Sequence, residues 1–223
     1  MRYALPVALF ACLAAMIAIT PHLEPQRMRA RARRITQQLR AEHGFRDGSR
    51  ASWSETRATG WPPFHYGRRT EFDNLLLGTV HNLPVRAAGY EVVFNGARQR
   101  YGLALIVLPR PAEWLEVRGE RPFTSARVPE HVPDGQLTLG VPEFDAVWSV
   151  YAESPQTQRA AAGSTALAQT MLGSPTRFSW RAHGTELLLW KSDGWSDAAQ
   201  LLACISGVVN LLGLADADLL PAF

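Results

Sequence analysis

Residues 83–108 read LPVRAAGYEVVFNGARQRYGLALIVL. Asn95-Gly96 near the middle is a pair suited to a two-residue hairpin loop, because both central residues of the tight primed turns take positive φ. On either side the chain is rich in Val, Tyr, Phe, Leu and Ile, the side chains that fit a pleated surface. The stretch predicts strand Leu83–Phe94 folded back on strand Arg98–Leu108. An antiparallel sheet then stands at the centre of the fold.

Working outward, Glu71–Val80 is Leu-rich and ends at His81-Asn82, a second turn. Downstream, Pro109 and Pro111 close the strand, since proline has no N–H to give a ladder. Trp114–Arg118 predicts a short strand of alternating character. Residues 119–135 contain Pro122, Pro129, Pro133 and Gly135 and predict a long surface loop. Leu137–Val141 and Phe144–Tyr151 predict further strands, the second placing Phe144, Ala146, Trp148 and Val150 on one face.

The period then changes. Ser154 is an N-cap with Pro155 at the first helical position, and one helix is expected through Ala166, Leu167 and Met171 to Gly173. A hairpin of Thr176–Ala182 and Thr185–Lys191, turning at His183-Gly184, leads to a last helix opened by Ser196-Asp197. Leu201, Leu202, Ile205, Val208, Val209 and Leu212 form its inward face. The order predicts an α+β domain over residues 64–223, a mostly antiparallel sheet with helices packed on one face.

Ahead of that domain the sequence divides three ways. Tyr3 to Thr20 is 18 residues without a charge. As a helix it reaches about 27 Å, close to a ~30 Å hydrocarbon core. Residues 1–21 are therefore expected to be a transmembrane anchor in contact with the bilayer through residues 3–20. Ala18-Ile19-Thr20 followed by Pro21 is a poor cleavage site, and Phe10 is bulky for a lipoprotein signal ending at Cys12. Residues 22–45 form a basic juxtamembrane helix in which Met28, Ala32, Ile35 and Leu39 make a narrow apolar stripe. Barely two heptads of stripe argue against a coiled coil. Residues 46–63 are a polar lead-in.

Charge separates these parts. Residues 1–69 hold 12 arginines against 4 acids, residues 70–223 hold 11 basic against 16 acidic side chains, and the whole chain carries +3. The folded domain is thus acidic, which argues against a nucleic-acid partner, whose phosphates need a positive face. Arg27, Arg29, Arg31, Arg33 and Arg34 after the anchor, against Arg2 before it, place the C-terminal domain in the cytoplasm at the inner membrane. The same five are expected to touch anionic lipid headgroups, worth ~1 kcal/mol per arginine near the surface.

Chemistry is sparse. His65, Tyr66, Arg68 and Asp73 form the most site-like cluster, since a His and an Asp brought together by a turn can act as an acid–base pair. Otherwise they read as a strand edge with solvated arginines. His81 and His183 occupy expected turns, and His22, His43 and His131 are scattered. No spacing of His, Cys, Asp or Glu fits a metal site, and no cofactor fingerprint occurs. Gly163-Ser164-Thr165 lacks a nucleophile-elbow frame and is expected to ease helix packing. Asp216 and Asp218 need only a solvated loop. Cys12 and Cys204 stand in contexts too distant to pair. Among seven tryptophans, Trp53 and Trp61 suit a membrane interface, Trp148, Trp180 and Trp190 a core, and Trp114 and Trp195 either.

Taken together these residues resemble a family of uncharacterised single-pass membrane proteins best represented in actinobacteria. The resemblance rests on the apolar N-terminus, the arginine-rich stop and Gly44-Phe45 at a helix end. It continues in Pro63-Phe64-His65-Tyr66-Gly67-Arg68-Arg69, in Gly89-Tyr90 with Phe94, and in Val107-Leu108-Pro109 with Leu115-Glu116-Val117 after it. Near the end come Phe144, Val150, Ala152 and Pro155, then Trp180, Gly184, Leu187 and Leu188. Ala87-Ala88-Gly89 departs from a more aromatic strand. The resemblance implies anchor, topology and fold, and no activity. The function expected is a non-enzymatic binding or scaffolding module with an unknown protein partner. The alternatives are a membrane-tethered hydrolase-like enzyme, with His65 or His183 against a carboxylate, or an exported envelope protein if the topology is reversed.

Overall fold

Strand β4 (Ala97–Arg118) runs through the whole domain and organises it. The structure, a computed structural model, describes residues 27–49, 64, 68–94, 97–119 and 136–214. The expected anchor over residues 3–20, most of the lead-in, and the loop beyond Gly119 to residue 135 lie outside these. So do Cys12, His22, Trp53, Trp61, His65, Tyr66, the Asn95-Gly96 turn, His131, Asp216 and Asp218. Among the described residues no helix is long and apolar enough to cross a membrane.

The hairpin at the centre forms as its sequence predicts. Strand β3 (Leu83–Phe94) pairs antiparallel with β4 in unbroken register from Val85 opposite Ile106 to Phe94 opposite Ala97. Strand β2 (Arg68–Val80) pairs with β3 and turns into it at His81 and Asn82, both with positive φ (49° and 61°). That is the conformation of a type I′ turn, which matches the right-handed twist of the strands it joins. A two-residue strand β1 (Arg46–Asp47) adds to the outer edge of β2.

Several expectations are corrected. Pro109 and Pro111 do not end β4, because the register against its partner shifts on either side of Ala112. They also fall between the last pairing with β3 at Ile106 and the first with β5 (Ser149–Ala152) at Leu115. No ladder bond is asked of them, and a bulge absorbs proline. β4 and the expected strand Trp114–Arg118 are therefore one element.

Likewise Thr176–Lys191 is not a hairpin. β6 (Ser179–Ser192) is one strand laid antiparallel along β4, with left-handed Gly184 (φ 56°) inside it. Glycine in a strand marked an irregularity, not a reversal.

Phe144–Tyr151 splits. Pro142 starts a one-turn helix α2 (Pro142–Asp145), and the Asp145 carboxylate accepts from the backbone N–H groups of Leu139 and Gly140, both at 3.0 Å. Phe144 and Trp148 come together through helical spacing and stack, ring centroids 6.2 Å apart. Only Leu137 of Leu137–Val141 pairs, as a single bridge to Val150. The expected helix from Ser154 to Gly173 is two, α3 (Pro155–Ala162) and α4 (Thr165–Leu172), because Ser164 caps the second by accepting from Leu167 N–H at 3.1 Å.

The helices do pack on one face. Helix α1 (residues 27–43), α2, α3, α4 and α5 (Ala198–Leu211) meet the sheet in one cluster that includes Ile35, Leu39, Phe144, Met171, Trp180, Leu189, Ile205 and Val209. Asp197 caps α5 as expected, accepting from Gln200 N–H at 2.7 Å. The opposite face carries a second buried cluster of Tyr90, Val92, Tyr101, Leu103, Leu105, Leu188 and Trp190, edged by Phe64, Phe72 and Leu75.

Helix α1 belongs to this fold. Ile35, Thr36 and Leu39 are buried, and Phe45 just beyond it lies on Gly78, where a Cβ would stand 2.6 Å from the ring. Gln38 accepts from the N–H of Ala198, so a side chain of α1 helps to cap α5 (3.5 Å).

Candidate functional site

Between α1 and the sheet lies a small open-sided groove with a cavity volume of about 50 Å³. The apolar stripe of α1 supplies one wall: Met28, Ala32, Ile35 and Leu39, with Thr36, whose hydroxyl donates to Ala32 O at 2.9 Å. The opposite wall is Leu76, Ala87 and the backbone of Gly89 and Gly102, which face each other across β3 and β4. Leu39 and Leu76 are almost fully buried.

Polar groups also line the groove. Arg100 is buried and pairs with Asp73, whose carboxylate lies over Gly89 where a side chain would displace it. The Trp195 ring covers Gly102, and a Cβ there would stand 2.6 Å from Nε1. That indole N–H is buried without a hydrogen-bond partner. Arg31, Asn74 (φ 50°), Asp193 and Gly194 complete the rim. The glycines are there for close approach, a role that glycine inside a strand signals.

Of the cluster expected at residues 65–73, His65 and Tyr66 lie outside the described residues and Arg68 stands opposite Val93 in the β2–β3 ladder. Asp73 is on the groove side of the sheet, engaged by Arg100 across Gly89. An acid–base role for Asp73 therefore competes with a charge-assisted pair. His81 is held at Nε2 by the Ser206 hydroxyl, 2.9 Å away on α5. His183 is half-buried in β6. Arg27, Arg29, Arg31, Arg33 and Arg34 are all exposed on α1, and Arg31 also lines the groove. Among the described residues no three His, Cys, Asp or Glu side chains converge as a metal-ligand set.

On the opposite face the lower sheet buries charge. Glu116 on β4 accepts from Arg118 and lies 3.9 Å from Arg181 on β6. The Arg118 guanidinium stands 4.9 Å over the Tyr151 ring. All three charged side chains are buried, and so is Trp114, whose Nε1 has no partner. Trp114 and Trp195, which the sequence left between membrane interface and core, are both buried.

Cys204 on α5 is a free thiol whose pKa burial pushes up to about 11, against smaller opposing effects of Ser174 and Lys191. The native thiol is protonated below that pH, and the thiolate is the reactive species. At pH 8 a maleimide or disulfide reagent is expected to modify Cys204 far more slowly in the native protein than in urea. Because the folded pKa lies above the unfolded one, this group's stabilising contribution is complete below the unfolded thiol pKa and is lost as pH rises toward 11.

No protein-family profile and no curated protein matches the chain. The fold nevertheless has a solved counterpart, the crystal structure of the mycobacterial trehalose monomycolate transport factor A, TtfA. The two superpose with a TM-score of 0.56 at 13% identity, over 87% of this chain and 99% of that one. At that identity the likeness is one of fold.

Proposed function

We propose that this protein is a membrane-anchored, non-enzymatic module of the cell envelope. In this reading residues 3–20 span the bilayer, the arginines of α1 lie at anionic headgroups, and the domain meets a protein partner from the cytoplasmic side. It belongs with the uncharacterised single-pass proteins that its sequence resembles. The observation that carries the reading is the double use of α1. Ile35, Thr36, Leu39 and Gln38 fix the helix to the domain while Arg27, Arg29, Arg31, Arg33 and Arg34 stay exposed. A tether built into the core sets the orientation of the whole domain at the surface. The fold shared with the mycobacterial trehalose monomycolate transport factor adds support for an accessory role in transport. The engagement of Asp73 by Arg100 weighs against the enzymatic alternative.

The test is topological. In intact cells a phosphatase that is active only outside the cytoplasm, fused after Phe223, is expected to stay inactive, and the protein to resist alkaline carbonate extraction from membranes. Changing the five collar arginines to glutamine is expected to raise the reporter signal, since flanking positive charge sets orientation. Strong activity from the unaltered fusion overturns the cytoplasmic placement, and release by carbonate overturns the anchor.

A further inference from the structure

We propose that α1 lies flat on an anionic lipid surface, sandwiched between the headgroups and its own domain, with Ala30, Gln37 and Ala41 turned to the bilayer. That a bilayer is close by rests on the membrane reading above. Which face of the protein meets it follows from α1 itself.

Burial fixes the helix about its axis. Ile35, Thr36 and Leu39 are buried against the domain, and Met28 and Ala32 are half-buried. At about 100° per residue, the direction opposite that stripe is occupied by Ala30, Gln37 and Ala41, all exposed. Arg27, Arg31 and Arg34 then run along one flank of this ridge, and Arg29 and Arg33 along the other. Two methyl groups and an amide let the helix backbone come close to headgroups. The long arginine stems on both sides reach past the ridge to phosphate.

Charge selects the same face. Among the described residues none of these five arginines pairs with a carboxylate, whereas Arg40 further along α1 pairs with Asp47. Five like charges within residues 27–34 repel one another, and an anionic surface relieves that repulsion. Residues 70–223, with 11 basic against 16 acidic side chains, gain nothing from the same surface. The attraction is therefore confined to α1.

Posture follows from reach. Were α1 upright, Arg34 would stand about 10 Å above Arg27, beyond a Debye length of ~8 Å at physiological salt. Lying flat brings all five arginines to one plane. Pro21 and Pro25 separate the apolar segment from α1 in sequence, so α1 need not continue the direction of that segment. The sheet is then carried on the side of α1 away from the bilayer.

The test uses the full chain with Cys12→Ala and Cys204→Ala, reconstituted in vesicles with one nitroxide-labelled cysteine introduced by Ala30→Cys, Gln37→Cys or Ala41→Cys. Depth is read from the relative exposure of each label to oxygen and to a water-soluble nickel chelate. On phosphatidylcholine–phosphatidylglycerol vesicles the three labels are expected at one depth in the headgroup layer, agreeing within about one helical turn, ~5 Å. A label introduced by Ala162→Cys, exposed on α3, is expected to read bulk water. On phosphatidylcholine alone, or with the five arginines changed to glutamine, the labels at 37 and 41 are expected to become about tenfold more open to the chelate. A rise of about 16 Å from position 30 to position 41 overturns the flat posture. Equal depth on phosphatidylcholine alone overturns the role of charge. Labels that read bulk water on anionic vesicles, in protein that stays bound through carbonate, sink this proposal and leave the anchor standing. Labels at headgroup depth in protein that carbonate releases sink the anchor and leave this proposal standing.

Discussion

Leu39→Ala is expected to destabilise the domain by about 3 kcal/mol, within the ~2–5 kcal/mol that core Leu→Ala changes cost. Leu39 is 1% exposed and packs in the main cluster with Ile35, Phe45 and Leu76, and the backbone N–H of Phe45 donates to Leu39 O at 3.1 Å. For a domain of this size the loss corresponds to a fall in Tm of roughly 6–12 °C. Changing Arg29 or Arg33, exposed on the same helix, to glutamine is expected to move stability by less than about 0.5 kcal/mol. Urea unfolding followed by tryptophan fluorescence measures both. Were α1 only a stop-transfer collar resting on the domain, the two substitutions would have similar small effects. A Leu39→Ala loss under about 1 kcal/mol would therefore separate the tether from the core and remove the main support for a fixed orientation at the membrane.

How much of this arrangement was legible depended on whether one face of an element meets water. The stripe Met28, Ala32, Ile35, Leu39 was readable because the opposite face of α1 is exposed arginine, so the helical period shows. The β2–β3 turn was readable from its own chemistry at His81-Asn82. By contrast Thr185–Lys191 has buried side chains on both faces, Leu187 and Leu189 on one and Leu188 and Trp190 on the other, and period two disappears from such a strand. Without alternation to carry the strand across Gly184, glycine read as a turn. The helix break at Gly163-Ser164 was signalled by Ser164, a cap residue that the run of apolar positions around it outweighed. The groove was less legible still, since Gly89 opposes Gly102 only through register, and register follows from pairing. The signal available was a glycine inside each of two expected strands.

The buried charges show the same limit from the other side, because Glu116 and Arg118 alternate with Leu115 and Val117 as a solvent-facing row would. The sheet instead buries them, and truncating Glu116 to alanine is expected to cost about 3–5 kcal/mol. Glu116 is 1% exposed, and its carboxylate accepts from Arg118 and lies 3.9 Å from Arg181. Removing it takes the carboxylate from the buried Arg118 guanidinium, whose remaining compensation is the Tyr151 ring. The desolvation of an unpaired charge dominates that loss, so the size of the effect does not measure the worth of the pair. Glu116→Leu combined with Arg118→Met removes one carboxylate and one cation together and is expected to recover part of the loss, since apolar replacement of buried pairs is often neutral or stabilising. The Glu116→Ala loss is also expected to persist in high salt, because buried pairs are screened far less than exposed ones. Urea unfolding at low and high ionic strength reads both effects. A double variant no more stable than Glu116→Ala alone would assign the damage to lost packing around Trp114 and Tyr151 and not to stranded charge.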